Sequence, residues 1–187
     1  MGGTEQGKAT VLVVDDEPGV VDLYVAFLES KYDVRTATSG IEALQACDET
    51  VDVVLLDQRM PDMSGDEVLA ELRQRNFDGR VAMLTGVEPD QTIVEMPFDD
   101  YRVKPIERTD LVSLVDALLK RVRFNERSQE FFSLASQKAA LEIRNEDATG
   151  EYEQIVERMQ ELRQELDAAL DELCTTAVIK DFETYDG

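Results

Sequence analysis

The segment Val51–Gly65 (VDVVLLDQRMPDMSG) constrains the fold more than any other part of the chain. Its four consecutive apolar residues, Val53 to Leu56, predict a strand that is buried on both faces. Such strands belong to parallel sheets that helices cover on each side. The strand stops at Asp57, and ligand sites in these sheets form at the carboxyl ends of strands. Asp57 is therefore a candidate site residue, although a turn aspartate that caps the next element is the simpler alternative.

Short apolar runs alternate with helical patterns through the first 124 residues. Strands are predicted at residues 9–14, 32–37, 53–56, 80–85 and 98–103, and a long helix from Glu107. This alternation is typical of an α/β fold with a parallel sheet. The segment between Gly86 and Pro97 is short and weakly patterned, so we expect the fourth helix to be very short or irregular.

Acidic residues follow two of these strands. Asp15 and Asp16 come directly after the first strand, as Asp57 follows the third. If the two strands are neighbours, three carboxylates meet at one edge of the sheet, and their repulsion requires bound protons or a cation. A few oxygen ligands with room for water favour Mg²⁺. A hard cation beside a carboxylate points to phosphate chemistry, since Mg²⁺ neutralises phosphoryl oxygens.

Two further strand ends carry residues suited to the same chemistry. Thr85 closes the fourth strand with a hydroxyl, and Lys104 closes the fifth with a compact positive charge. Taken singly, Thr85 is as readily a helix cap and Lys104 a surface lysine. The combination of Asp-Asp, Asp, Thr and Lys at four strand ends is much harder to obtain by accident.

Four motifs, VLVVDDEP, LLDQRMPDMSG, MLTG and YRVKP, together resemble those of two-component response regulator receiver domains. The resemblance covers residues 9–124. It implies a flavodoxin-like (CheY-like) doubly wound sheet of five parallel strands in the order 2-1-3-4-5. It also implies a phosphoacceptor switch rather than an enzyme, with self-phosphotransfer and slow autodephosphorylation as its only reactions.

The resemblance assigns a role to each candidate residue. Asp57 matches the phosphoacceptor, and Asp15 and Asp16 match the acidic pair that holds Mg²⁺ with it. The remaining matches are Arg59, whose backbone carbonyl completes the metal site, Thr85 and Lys104, which contact the acyl phosphate, and Tyr101, which changes rotamer with it. The implied partner is a sensor histidine kinase, and this chain has no histidine of its own to act as donor.

Residues 125–174 show helical patterns without any strand signal. Apolar residues from Tyr152 to Leu173 recur at spacings of three and four, which predicts a helical hairpin or coiled coil. The sequences FFSLASQKAALE and EYEQIVERMQEL resemble the HalX domain, which follows receivers in haloarchaeal proteins. We expect this domain to contact an unknown downstream protein or a second copy of the chain. The coiled coil closes either within one chain or between two chains. We expect residues 175–187 to form a flexible tail.

The chain carries a net charge of −22, yet 43% of its residues are apolar. It is therefore a folded acidic protein, and we expect adaptation to a high-salt cytoplasm. The apolar runs are too short to span a membrane, and the two distant cysteines suit a reducing compartment. Two alternatives remain: a transcription regulator that binds DNA through or beside the C-terminal helices, and, less favoured, a phosphatase with an aspartyl nucleophile. A phosphatase of that kind needs a DxD arrangement that Asp15 and Asp16 do not provide.

Overall fold

The structure is a computed structural model that describes residues 7–86, 97–144 and 150–183, with side chains up to Glu172. Its strands are β1 (Thr10–Val14), β2 (Asp33–Ala37), β3 (Val53–Asp57), β4 (Arg80–Thr85) and β5 (Asp100–Val103). Its helices are α1 (Pro18–Leu28), α2 (Gly40–Ala46), α3 (Gly65–Gln74), α4 (Arg108–Ile143) and α5 (Gly150–Glu183). The segment in which a short fourth helix was predicted lies mostly outside the described residues.

All five strands form one parallel sheet in the order β2-β1-β3-β4-β5. The predicted α/β class and strand order are thus confirmed. The order reverses between β1 and β3, and this switch point is where a doubly wound sheet opens a crevice beyond its carboxyl ends. Val14 of β1 is in register with Leu56 of β3, so the residues after both strands emerge side by side.

The apolar side chains of the strands alternate between two buried layers, as the two-residue period of a strand requires. On one face, Val13, Leu55 and Leu84 join a cluster that includes residues of α1 and α4. On the other, Leu56 and Met83 join a cluster with α2 and α3. Both faces of the central strands are therefore covered, which explains the continuous apolar run from Val53 to Leu56.

Local sequence signals position the helices that follow the strands. Pro18 lies in the first turn of α1, where a missing N–H costs nothing. The Ser64 hydroxyl accepts a hydrogen bond from Glu67 N, and the Glu67 carboxylate accepts one from Ser64 N. This capping box begins α3 a few residues after Asp57, so the β3–α3 loop is fixed at both ends.

The chain divides into two compact units, residues 1–122 and 123–187. Within the second unit, α5 runs antiparallel to the last turns of α4. Three side-chain contacts establish this direction: Glu142 with Tyr152, Glu130 with Arg158, and Arg127 with Glu165. From one contact to the next, the residue number in α4 falls while the residue number in α5 rises. The predicted hairpin therefore forms within one chain.

The second unit differs from the sequence prediction in two respects. Of the seam expected from Tyr152 onward, Ile155 and Leu162 are buried, while its other members with described side chains are half-buried. The helix was also expected to end at Cys174, but α5 continues to Glu183. No Gly or Pro occurs between 175 and 183 to stop a helix, so the prediction of a tail beginning at 175 was wrong.

None of the helices in the described part of the chain combines the length and apolarity that crossing a bilayer requires.

Candidate functional site

Three carboxylates meet at the carboxyl ends of β1 and β3. Asp15, Asp16 and Asp57 each place one oxygen within 4.8 Å of the others. The parallel register of β1 and β3 brings these residues together, and the N–H of Asp15 donates to Ala37 O of β2. Asp15 and Asp57 are buried, whereas Asp16 is half-buried. The predicted convergence of the two strand ends is therefore present.

The Asp57 side chain is held by the loop that follows it. Its Oδ2 accepts a hydrogen bond from the backbone N–H of Arg59 at 2.9 Å. Gly65 lies so close to this point that an added Cβ would stand 2.2 Å from Asp57 O. Gly65 N in turn donates to Gln58 O. Only a residue without a side chain permits this close return of the loop, a role that sequence reasoning did not assign to Gly65.

The Lys104 side chain joins two of the carboxylates. Its Nζ donates to Asp15 Oδ2 at 2.5 Å and also to Asp57 Oδ1. Burial alone would lower the pKa of Lys104, but the hydrogen bonds to Asp15 and Asp57 outweigh it, and the pKa is raised. Lys104 therefore stays positively charged at the centre of the cluster.

The carboxyl group of Asp57 differs from an ordinary surface aspartate. Burial raises its pKa, with a smaller contribution from the negative charge of Asp15, while the hydrogen bond and charge of Lys104 oppose the shift. Because the negative charge of Asp57 is only partly neutralised, any further positive charge beside it would stabilise the ionised carboxylate. The cluster thus favours a bound cation.

Thr85 closes β4, the strand next to that of Asp57, and Tyr101 lies on β5, one strand further from it. Thr85 directly follows Leu84, the register partner of Asp57, and its side chain is fully buried. Its backbone oxygen accepts a hydrogen bond from Lys104 N at 2.7 Å, which ties the ends of β4 and β5 together. Tyr101 is half-buried on β5, with its ring 5.9 Å from that of Phe98.

The donor set suits one kind of ligand. Three carboxylates at two strand ends offer hard oxygen donors. Mg²⁺ binds to a small number of such oxygens and keeps several water ligands. The residues present therefore fit a magnesium site. The structure joins Asp15, Asp16, Asp57 and Lys104 in one cluster, whereas the use of the Arg59 carbonyl as a ligand remains a prediction.

Family profiles account for almost all of the chain. Residues 11–116 match the response regulator receiver domain, and residues 120–184 match the HalX domain. Receiver domains are phosphoacceptor switches that take a phosphoryl group from histidine kinases and bind Mg²⁺ at an acidic pocket. The HalX match falls on the last part of α4 and on α5.

Two curated relatives show how the chain compares with longer proteins. A Haloferax volcanii protein named "Putative transcriptional regulator" is 46% identical over 87% of this chain and 29% of its own length. The alkaline phosphatase synthesis transcriptional regulatory protein PhoP of Bacillus subtilis is 38% identical over 64% of this chain and 52% of its own length. The chain thus spans about half the length of PhoP and less than a third of the length of the Haloferax protein.

Among solved structures, response regulator TrrA of Thermotoga maritima, captured with Mg²⁺ and a beryllofluoride group, is 34% identical. The match covers 59% of this chain and 99% of TrrA, with a TM-score of 0.54. The sheet order, the acidic cluster and the profile match agree with one another. The chain therefore belongs to the response regulator receiver family, and a HalX domain follows its receiver.

Proposed function

We propose that this chain is a response regulator that accepts a phosphoryl group on Asp57 from a sensor histidine kinase. One observation carries the proposal: the buried Asp57 carboxylate shares a cluster with Asp15 and Asp16 and is hydrogen bonded to Lys104. The nucleophilic carboxylate therefore lies beside a positive charge and beside carboxylates able to hold a cation, and phosphoryl transfer needs positive charge around the moving group. A cytoplasmic location is part of the proposal.

The reaction is a single in-line displacement. An oxygen of Asp57 attacks the phosphorus of the kinase phosphohistidine, the P–N bond breaks, and its electron pair stays on the imidazole nitrogen. Arg59 N orients the carboxylate through Oδ2, so the group does not have to reorganise for attack. Lys104 lies beside Asp57 and is placed to contact an oxygen of the incoming group.

The cation completes the charge balance. Mg²⁺ held by Asp15, Asp16, Asp57 and the Arg59 carbonyl would neutralise negative charge on the phosphoryl oxygens. The same geometry admits a small donor such as acetyl phosphate. Slow attack of water on the phosphorus would break the bond to Asp57, release inorganic phosphate and restore the carboxylate. Self-phosphotransfer and slow autodephosphorylation are therefore its only proposed reactions.

Thr85 and Tyr101 are proposed to change side-chain conformation when Asp57 is phosphorylated. An aspartyl phosphate adds charge and acceptor oxygens at a fixed point. Thr85 is one residue beyond the register partner of Asp57, so its hydroxyl is a suitable donor to that group. Tyr101 would then turn into the space that the Thr85 side chain leaves, which biases β5 between two arrangements.

The proposed output is contact between the HalX hairpin and another protein. The hairpin is a poor match for DNA because the charged residues of α5 are mainly glutamate and aspartate. Among the residues whose side chains are described, its basic residues are Arg158 and Arg163. The name of the Haloferax relative favours transcription control as a second candidate. Co-purification from a high-salt lysate with and without beryllofluoride would identify the partner.

Phosphorylation of purified chain tests the proposal directly. In molar KCl with Mg²⁺ and acetyl phosphate, we expect intact mass spectrometry to record a gain of one phosphoryl group. Asp57→Asn should abolish the gain, because the amide lacks a nucleophilic oxygen. Asp62→Asn is the matched control, since Asp62 is an exposed aspartate of the same loop. Equal incorporation by the Asp57→Asn chain would refute the assignment.

A further inference from the structure

The last turns of α4 carry a second apolar stripe, apart from the one that faces α5. Phe132, Ser136, Ala139 and Ile143 follow one another at spacings of four, three and four, which places them on one side of a helix. At 3.6 residues per turn, this stripe lies about 160° around the axis from Leu134, Lys138 and Leu141. We call the four residues, together with Ala140, the outer face of α4.

The outer face is exposed and uncharged. Phe132 is 70% and Ile143 is 83% exposed, the highest exposures among the large apolar residues of the described chain. Each charged residue between 123 and 143 lies elsewhere on the helix, although the protein has a net charge of −22. Isolated exposed apolar side chains are ordinary, but two on one uncharged stripe three turns apart indicate a contact surface.

The polar residue in this face, Ser136, does not need a hydrogen-bond acceptor on a partner. The Ser136 hydroxyl donates to Phe132 O of its own helix at 3.0 Å, so its hydrogen-bond donor is already used. Ser136 therefore acts as a small residue beside Ala139 and Ala140. Small residues at the centre of a helix face let a second helix approach closely.

The pattern of large and small residues is self-complementary. In an antiparallel pair of α4 helices, Ser136 of each copy faces Ala139 of the other, and Phe132 faces Ile143. The small residues then lie where crossing helices are closest, and the large ones fill the gap where the helices diverge. A two-fold axis relates the two halves of such a contact, as in most homodimers.

The distribution of charge also favours a second copy over another partner. Two copies that met through α5 would oppose one run of acidic residues with another. On the described hairpin, contact through the outer face of α4 avoids this repulsion. This face carries no lysine or arginine that could bind the phosphates of nucleic acid. We propose that the outer face of α4 is a homodimer surface. The stripe is only about 17 Å long, so the dimer is weak and forms at high protein concentration.

Sedimentation equilibrium at molar KCl over a wide range of protein concentration tests this proposal. The mean mass of the wild type should rise with concentration towards that of two chains. Phe132→Glu and Ile143→Glu should each abolish the rise, because each buries a charge against the partner. Leu170→Glu is the matched control: Leu170 is 45% exposed on α5, off this face, and its variant should associate like the wild type.

Circular dichroism of each variant checks that the helices are retained, and Ile143→Glu, at the end of α4, is the variant least able to disturb folding. A wild type that stays monomeric at every concentration would overturn the proposal. So would association that persists unchanged in both folded face variants, since a different surface would then be responsible. Neither result bears on phosphorylation of Asp57, which is measured separately.

Discussion

The carboxyl group of Asp57 is subject to two opposing influences, burial and the ammonium group of Lys104. Burial is the larger one, and the pKa of Asp57 is raised. A raised pKa in the folded chain means that ionisation of Asp57 opposes folding. The ionised form of Asp57 is thus destabilised in the folded protein, and a cation, or a phosphoryl group with its cation, can relieve this.

Removal of this charge should stabilise the protein. We expect Asp57→Asn to raise the free energy of unfolding by roughly 1 kcal/mol at neutral pH without divalent cations. Asp57 is ionised in both states above its pKa in the folded chain, and it is protonated in both states below its pKa in the unfolded chain. The advantage of the variant should therefore shrink as the pH falls through that interval. Thermal melts in a chelator, with Asp62→Asn as control, measure this, and a less stable Asp57→Asn chain at neutral pH would contradict it.

Single residues of the site were predictable where they stand at strand ends. Asp15, Asp57, Thr85 and Lys104 each follow or close an apolar run, and the parallel sheet brings such ends together. The hydrogen bonds of Lys104 to both carboxylates could not be predicted, because they depend on side-chain reach across three strands. The role of Gly65 was not predicted, because its close approach to Asp57 O exists only in the folded loop.

At the scale of elements, Asp99 anchors the start of β5. Its carboxylate accepts hydrogen bonds from Arg73 and Arg80 at 2.7 and 2.8 Å, and from Val81 N. Its backbone oxygen accepts from Arg121 of α4 at 2.7 Å. Asp99 thus joins α3, β4, β5 and α4 at the end of the sheet opposite the acidic cluster, and it sets the position of the strand that carries Tyr101.

Loss of this anchor should be costly. The Asp99 side chain is 12% exposed, and Asp99→Asn would leave two guanidinium groups beside a neutral amide. We expect a loss of about 3 kcal/mol in unfolding free energy. Asp116→Asn is the matched control: Asp116 also accepts from two side chains, Lys31 and Tyr32, but is 41% exposed.

Because exposed pairs contribute little, the control should lose less than about 1 kcal/mol. Urea denaturation of both variants provides the comparison. Equal losses would show that Asp99 is not an anchor of β5. No sequence pattern predicts this network, because its members are single charged residues in three different elements and a loop.

The strand–helix alternation, in contrast, was readable because each element repeats a simple period. β4 has the predicted bounds of Arg80–Thr85, whereas β5 begins at Asp100, two residues later than expected. Phe98 and Asp99 were predicted to belong to this strand. In the structure, they instead carry the contacts that fix its start.

For the whole molecule, net charge dominates the response to salt. The charge of −22 produces self-repulsion that molar salt screens, because the Debye length falls from about 10 Å at 0.1 M to about 3 Å at 1 M. Salt also weakens ion pairs such as Arg158–Glu130, but these are 41% and 44% exposed and contribute little.

We therefore expect the melting temperature to rise from low to molar KCl. An uncharged osmolyte at the same osmolality is the control, because it leaves the Debye length unchanged. A flat or falling melting temperature in KCl would contradict adaptation to high salt, and an equal rise in the osmolyte would assign the effect to hydration rather than charge.

The central claim is that the strand ends form a site in which Asp57 alone takes the phosphoryl group. Borohydride reduction of the phosphorylated chain, followed by peptide mass spectrometry, locates an aspartyl phosphate because reduction converts that residue to homoserine. We predict homoserine at position 57 when Mg²⁺ is present and its loss when Mg²⁺ is removed. Homoserine at any other aspartate, or at position 57 regardless of Mg²⁺, would contradict this account.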